Sequence, residues 1–186
     1  MQTVRTLIVY FSRTGMTKKV AQAIAKEIPA EIIRLESKRY PKGSSGFMRA
    51  LVDSILRKAI PIENQLPDPV YYDLVIVGSP IWNTTVAGPV RTFLKTVGYS
   101  PTRIAFFLTY DGSGRKKIFE EMEELCGKTP IAKMEVSAEQ LSTNSIQGKV
   151  GDFARQIQEF FDKPAYSRKP PRIPPKPKDS PVSPTL

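Results

Sequence analysis

Short, continuously apolar runs alternate along this chain with stretches in which apolar residues recur every three or four positions. The first pattern belongs to a strand buried on both faces, the second to a helix with one apolar side. Residues 3–11 open the series as a strand. Residues 15–28 follow as a helix, with Val20, Ala21, Ile24, Ala25 and Ile28 at helical spacing and Pro29 stopping it. Residues 31–35 read as a short second strand, and residues 37–46, polar with Pro41, Gly43 and Gly46, as a loop. Residues 47–59 are expected to form a second helix with Phe47, Leu51, Ile55 and Ala59 on one face. Pro61, Pro67 and Pro69 then mark an irregular connection.

The alternation continues to residue 162. Strands are expected at 73–78, 103–109 and 131–136, and helices at 87–97, 115–125 and 146–161. Pro89 falls in the first turn of its helix, where a missing N–H costs nothing. Loops fill 79–85, 110–114 and 137–145. Five strands separated by helices imply a parallel sheet with helices on both faces, because parallel neighbours need crossovers and these are right-handed. With a hydroxyl-rich turn directly after the first strand, the doubly wound order 2-1-3-4-5 is expected rather than the six-stranded dinucleotide-binding order.

Composition divides the chain in two. Residues 1–162 suit one α/β domain. From residue 163 the pattern stops: eight of the last 23 residues are proline, and the segment 163–186 carries +5 of the net charge of +10. Such a tail cannot bury enough apolar surface to offset its ordering entropy, and is expected to be disordered or locally polyproline II. Its Pro-x-x-Pro stretches and basic charge suit contact with a protein or an anionic surface. No Lys/Arg block with interleaved aromatics suggests a nucleic-acid groove. No apolar run approaches the roughly 18 residues of a membrane span. The chain enters a strand without a secretory leader, so a cytoplasmic location is expected.

Chemistry is narrowed by what is scarce. There is no histidine and one cysteine, Cys126. The usual general base, the Ser-His and Cys-His pairs and the commonest zinc ligand are therefore missing. Cys126, at a helix end, reads as a packing residue. Redox or group-transfer chemistry would have to come from a bound cofactor. No catalytic residue and no metal site can be named. Asp111 is the one carboxylate in the candidate loops, and it reads as a turn residue ahead of Gly112.

Three loops carry the functional signal. The turn Ser12-Arg13-Thr14-Gly15-Met16-Thr17 places three hydroxyls and a run of backbone N–H groups at a helix start. Those N–H groups lack helical partners and the helix dipole favours an anion there, so the turn suits a phosphoryl group. It matches neither the Walker A nor the Gly-x-Gly-x-x-Gly pattern. In the order 2-1-3-4-5, ligands sit outside the carboxyl ends of strands one and three. The loop after strand three, Pro80-Ile81-Trp82-Asn83-Thr84-Thr85, brings the one tryptophan to that edge. The next strand adds Thr109, Tyr110, Asp111, Gly112, Ser113 and Gly114. Trp82 and Tyr110 offer π surfaces for a flat ring.

Ser-x-Thr-Gly-x-Thr after an apolar strand closely resembles the phosphate loop of flavodoxins. Gly78-Ser79-Pro80-Ile81-Trp82 with the following Ala87-Gly88-Pro89, and Phe107-Leu108-Thr109-Tyr110 with Gly112 and Gly114, resemble their second and third flavin loops. The resemblance covers residues 3–162 and lacks the insertion that splits the fifth strand of long-chain members. It implies FMN as cofactor. Ser12, Thr14, Gly15 and Thr17 would hold its phosphate, with backbone N–H groups from Arg13 and Met16. Pro80, Ile81, Trp82, Asn83, Thr84 and Thr85, with Thr109, Tyr110, Asp111, Gly112 and Gly114, would enclose its ring system. The implied function is a flavodoxin-type electron carrier. The alternatives are an FMN-dependent NAD(P)H or quinone oxidoreductase on the same fold, and a flavin-free interaction scaffold. Flavodoxins are typically acidic and rarely carry a basic proline-rich tail. This basic chain departs from both, which puts the usual electron partner in doubt and leaves an acidic redox partner or an anionic membrane surface as the candidates beside a plain solvated surface.

Overall fold

The computed structural model describes residues 4–41, 43–100, 102–112, 117–143 and 145–163. The basic tail from residue 164 onward and Gly114 therefore lie outside the described residues. The elements run β1 (Thr6–Tyr10), α1 (Met16–Glu27), β2 (Glu31–Arg34), α2 (Ser44–Ile55), β3 (Leu74–Trp82), β4 (Thr85–Val86), α3 (Gly88–Val97), β5 (Arg103–Tyr110), α4 (Ile118–Cys126), β6 (Lys133–Ser137), α5 (Ala138–Ser142) and α6 (Gln147–Asp162). Five parallel strands take the order β2-β1-β3-β5-β6, with β4 attached antiparallel to the end of β3. This is the doubly wound order expected from the sequence.

Every residue of β1 is buried, which is why it reads as an unbroken apolar run. Its side chains divide between two cores. Leu7 and Val9 face Val75, Val77, Phe93, Leu94, Phe106, Leu108 and Met122 beneath α3 and α4. Ile8 and Tyr10 face Ile24, Leu74, Ile76, Phe107, Phe153 and Ile157 beneath α1 and α6. Parity along each strand thus assigns successive residues to opposite layers.

The structure departs from the expected elements in three places. Residues 37–46 are not all loop, since α2 begins at Ser44 and ends at Ile55 rather than at residue 59. Its apolar face also points the other way. Gly46, Ala50, Asp53 and Ser54 are buried, whereas Phe47, Met48, Val52, Ile55 and Leu56 are exposed. The reason is a polar anchor: Arg39 forks onto Asp53, with Nη2 donating to Oδ1 at 2.8 Å and Nε to Oδ2. Gly46 packs on the Pro41 backbone so tightly that a Cβ there would overlap the Pro41 carbonyl oxygen. Second, β3 runs on to Trp82 and turns through Asn83 and Thr84 into β4, so the whole of the expected 79–85 loop is strand and hairpin. Third, the polar stretch 137–145 contains α5, started by a capping box. Ser137 Oγ accepts from the Gln140 N–H, and the Gln140 side chain accepts from the Ser137 N–H. Among the described residues, no helix is long and apolar enough to cross a membrane.

Candidate functional site

The strand order reverses between β1 and β3, and the turns that follow β1, β3 and β5 meet at their carboxyl ends. β1 is held in place there from both sides. The Phe11 N–H donates to the Gly78 carbonyl at 3.1 Å, and the Leu35 N–H donates to the Tyr10 carbonyl at 2.7 Å. Arg34 Nη2 donates to the Ser12 carbonyl at 2.9 Å.

The turn 12–17 sorts its three hydroxyls into three roles. Ser12 Oγ accepts from the Gly15 N–H at 3.1 Å and from the Lys18 N–H at 3.4 Å, so it braces the helix start from within. Thr17 is buried, and its Oγ1 lies 2.8 Å from Thr109 Oγ1. Thr14 alone is exposed at the mouth. Gly15 adopts φ 99°, a conformation that lets the chain turn directly into α1, and nothing stands within 4 Å of where a Cβ would project. Among the described residues, the N–H groups of Thr14, Met16 and Thr17 have no hydrogen-bond acceptor. That is an anion cradle in its chemistry: unpaired helix-start donors, a free hydroxyl and open space. Arg13 and Met16 contribute backbone here. The Arg13 side chain turns away, donating to the Gly43 carbonyl at 3.3 Å and lying over the Phe47 ring at 5.5 Å.

The second loop is a tight hairpin. Ile81 pairs with Val86 and Trp82 with Thr85, leaving Asn83 and Thr84 as the two turn residues, with φ 43° and 62°. Two successive positive φ angles match the right-handed strand twist of a two-residue hairpin. Ser79 Oγ closes its base, accepting from the Ala87 N–H at 3.0 Å and donating to the Pro80 carbonyl at 2.8 Å. Pro80, Ile81 and Trp82 are half-buried, and Asn83 and Thr84 are exposed. Thr85 is buried and faces inward. Its hydroxyl donates to Glu121 Oε1 at 2.6 Å and accepts from Arg91 Nη2 at 2.6 Å, while Arg91 also pairs directly with Glu121.

In the third loop Thr109 is buried against Thr17, Tyr110 is half-buried, and Asp111 and Gly112 are exposed. Gly112 has φ 90° and open space beside it. The structure thus brings the backbone of all three expected loops to one edge, with Gly114 outside the described residues. It assigns the Ser12, Thr17, Thr85 and Thr109 hydroxyls to internal bonds that shape the cleft.

Sequence reading missed several residues that build this edge. Trp82 does not stand alone: Phe11 and Tyr40 meet it edge-on, at ring-centroid distances of 5.4 and 5.2 Å. Phe11 reads as the end of a strand and Tyr40 as part of a polar loop, so neither carries a local signal. The Tyr40 hydroxyl is buried with no hydrogen-bond partner found among the described residues, and burial and the neighbouring Asp53 carboxylate both push its ionisation up. Beyond Tyr40, an open groove of about 260 Å³ is lined by Phe11, Arg13, Arg34, Glu36, Ser37, Lys38, Tyr40 and Glu63. Arg91 and Glu121 sit on helices whose sequence gives no hint of pairing. Cys126 is buried, and burial pushes its thiol up, as befits a packing residue.

The flavodoxin family model matches residues 5–152. A flavoprotein from Lactobacillus acidophilus NCFM, solved in complex with FMN, superposes with a TM-score of 0.63 and 26% identity. It covers 76% of this chain and 99% of its own. The apo form of the flavoprotein from the same organism gives 0.58 and 25%, covering 75% and 96%. A putative flavoprotein from Bacteroides uniformis gives 0.65 and 19%, covering 74% and 92%, which supports the fold. No curated protein sequence is significantly similar. The family match spans most of the domain and includes all three loops at the carboxyl edge, so the chain belongs to the flavodoxin family.

Proposed function

We propose that this chain is an FMN-binding redox protein that carries electrons between partners. The observation that carries the reading is the turn after β1: unpaired N–H groups at Thr14, Met16 and Thr17 beside the free Thr14 hydroxyl and the open face of Gly15. The phosphate of FMN would sit against these groups, whose donors and dipole favour its charge. Trp82 and Tyr110 would border the ring system. The exposed Asn83, Thr84 and Gly112 backbone would supply hydrogen bonds to its polar edge. Bound there, FMN supplies reversible one- or two-electron transfer, which no side chain of this protein can perform. A similar structure solved with FMN supports the choice of cofactor. An acidic redox protein suits the chain's net charge of +10.

A second reading, an FMN-dependent NAD(P)H or quinone oxidoreductase, draws support from the groove beside the site. Its Arg13, Arg34 and Lys38 would suit the phosphates of a nicotinamide dinucleotide, set against Glu36 and Glu63 in the same lining, where Glu63 pairs with Lys38. Two measurements separate these readings. Full-length protein loaded with FMN should show absorption bands near ~450 and ~370 nm from the bound flavin. A steady-state assay with NADH, NADPH and quinones should show no turnover without an added reductase. Turnover by the protein alone favours the enzyme. Failure to take up FMN refutes both and favours the interaction scaffold.

A further inference from the structure

α2 is built inside out. Its buried side is Gly46, Ala50, Asp53 and Ser54, and its outer side is Phe47, Met48, Val52, Ile55 and Leu56, each between 47% and 60% exposed. Scattered surface apolar residues need no explanation, but a continuous strip on one helix does. The segment that carries the strip is basic. Residues 37–62 hold six basic residues and a single acid, Asp53, which is buried and paired with Arg39. Arg49, Arg57 and Lys58 are exposed beside the strip.

Both ends of α2 are tied to the cleft. At its start Arg13, from the turn after β1, donates to the Gly43 carbonyl and covers Phe47. Beyond its end Arg57 Nη1 donates to Glu121 Oε1 at 3.4 Å, and Glu121 holds Thr85 of the second loop. The strip therefore borders the candidate flavin cleft, linked to two of its three loops.

We propose that this face docks an acidic electron-transfer protein, an inference that rests on the electron-carrier reading above. Charge excludes the chain's own tail, which is itself basic with a net +5. A second copy would set Arg49, Arg57 and Lys58 against their own images. The strip is also small: a 12-residue helix is about 18 Å long, so with a width of about 10 Å it offers about 180 Å². A stable dimer needs about 800 Å² per partner, whereas redox encounters are small and transient. An apolar centre with a basic rim is what such an encounter uses: charge steers the approach, and desolvated apolar contact holds it briefly.

The probe is a plant-type ferredoxin of net negative charge, titrated into ¹⁵N-labelled full-length protein with and without FMN. The ionic strengths are about 10 mM and about 150 mM, at which the Debye length is about 30 Å and about 8 Å. Saturable shifts centred on Met48, Val52, Ile55 and Leu56, weaker at the higher ionic strength, are expected. Met48→Ser with Ile55→Ser should weaken binding about tenfold, and Arg49→Glu by a similar factor, with the fold unchanged because these side chains are exposed. Tyr99→Ser, at an exposed position after α3, should leave binding unaltered. Absence of binding at low salt, or shifts centred elsewhere, overturns the proposal. Binding of vesicles of phosphatidylcholine and phosphatidylglycerol that the same variants abolish, with ferredoxin binding untouched, overturns it in favour of a membrane surface. Should FMN fail to bind while ferredoxin still maps to α2, the docking face stands and the electron-carrier reading falls.

Discussion

The hydroxyls of Thr17 and Thr109 lie 2.8 Å apart in the interior although 92 residues separate them in the chain. One opens α1, the other ends the buried part of β5, so this bond fixes the first loop against the third. Both side chains are almost wholly buried, at 1% and 2% exposure. Thr17→Val removes one partner and strands the other hydroxyl, and should cost about 1–3 kcal/mol. Replacing both threonines by valine substitutes apolar groups of the same shape and should recover much of that loss. Urea midpoints of the two single variants and the double variant check this. A double variant as unstable as the sum of the singles would show that the pair does not act as a unit.

A second buried unit supports the middle loop. Glu121 accepts from Thr85, Arg91 and Arg57, yet Glu121 Oε2 and Arg91 Nε have no partner among the described residues. A partly satisfied ionic network in a low-dielectric setting is sensitive to loss of either charge. Glu121→Gln leaves the Arg91 guanidinium buried without its counter-charge and should destabilise the fold by about 3 kcal/mol. Adding Arg91→Met should restore part of that. Because Thr85 anchors the hairpin through the same carboxylate, Glu121→Gln should also weaken FMN retention, measured by fluorescence titration. Unchanged stability and retention would remove the unit from any role in shaping the site.

Much of the fold was legible because it depends on local pattern. The strands of the sheet are apolar runs, the crossovers are amphipathic, and parity along β1 divides Leu7 and Val9 from Ile8 and Tyr10. The turn at Gly15 and the loops after β3 and β5 could be placed at one edge from strand order alone. The illegible parts depend on partners far away in sequence. Helical periodicity located α2 but gave its facing wrongly, because the Arg39–Asp53 fork and the close approach of Gly46 to Pro41 decide which side turns inward. The internal partners of Ser12, Thr17 and Thr85 were illegible for a similar reason. A hydroxyl in a loop can face a ligand or a neighbour, and nothing in residues 12–17 or 80–85 announces Thr109 or Glu121.

Thr84 carries backbone strain. It is β-branched, exposed, and has φ 62°, where its Cβ crowds the chain. Thr84→Gly creates Asn-Gly at the two turn positions, the pair such hairpins prefer. Stabilisation by about 1 kcal/mol is expected in thermal denaturation. If the strained turn also serves the ligand, FMN affinity should fall as stability rises, the trade seen where strain is kept for function. A variant less stable than the parent would contradict the assignment of strain to this residue.

Gly78 is required for packing. A Cβ at this position would lie 2.0 Å from Cζ of Phe107, a ring with no exposed surface. Gly78→Ala must therefore displace the ring or the strand, at a cost of about 1–3 kcal/mol. Shortening the obstacle with Phe107→Leu should make the alanine tolerable, so the double variant should be less unstable than the two single losses combined. Additive losses would show that the clash relaxes by another route.

Acid should loosen α2 through one carboxyl. The Arg39 guanidinium holds the Asp53 carboxyl below its usual range, chiefly by hydrogen bonding, with burial opposing it. A carboxyl whose folded value is depressed contributes stability that is complete above its unfolded value, near about 4. The contribution disappears as pH falls through the lower folded value. Between about pH 5 and pH 2 the parent should therefore lose stability more steeply than Asp53→Asn, which has no charge there to lose. At neutral pH the variant should be the weaker of the two. Its loss should be smaller than that of Glu121→Gln, because the Arg39 side chain is 43% exposed and can turn to water, whereas Arg91 at 7% cannot. Parallel pH profiles of the urea midpoint for parent and Asp53→Asn would show that the ion pair does not hold the helix, and would leave the outward turn of Phe47, Met48 and Ile55 to Gly46 alone.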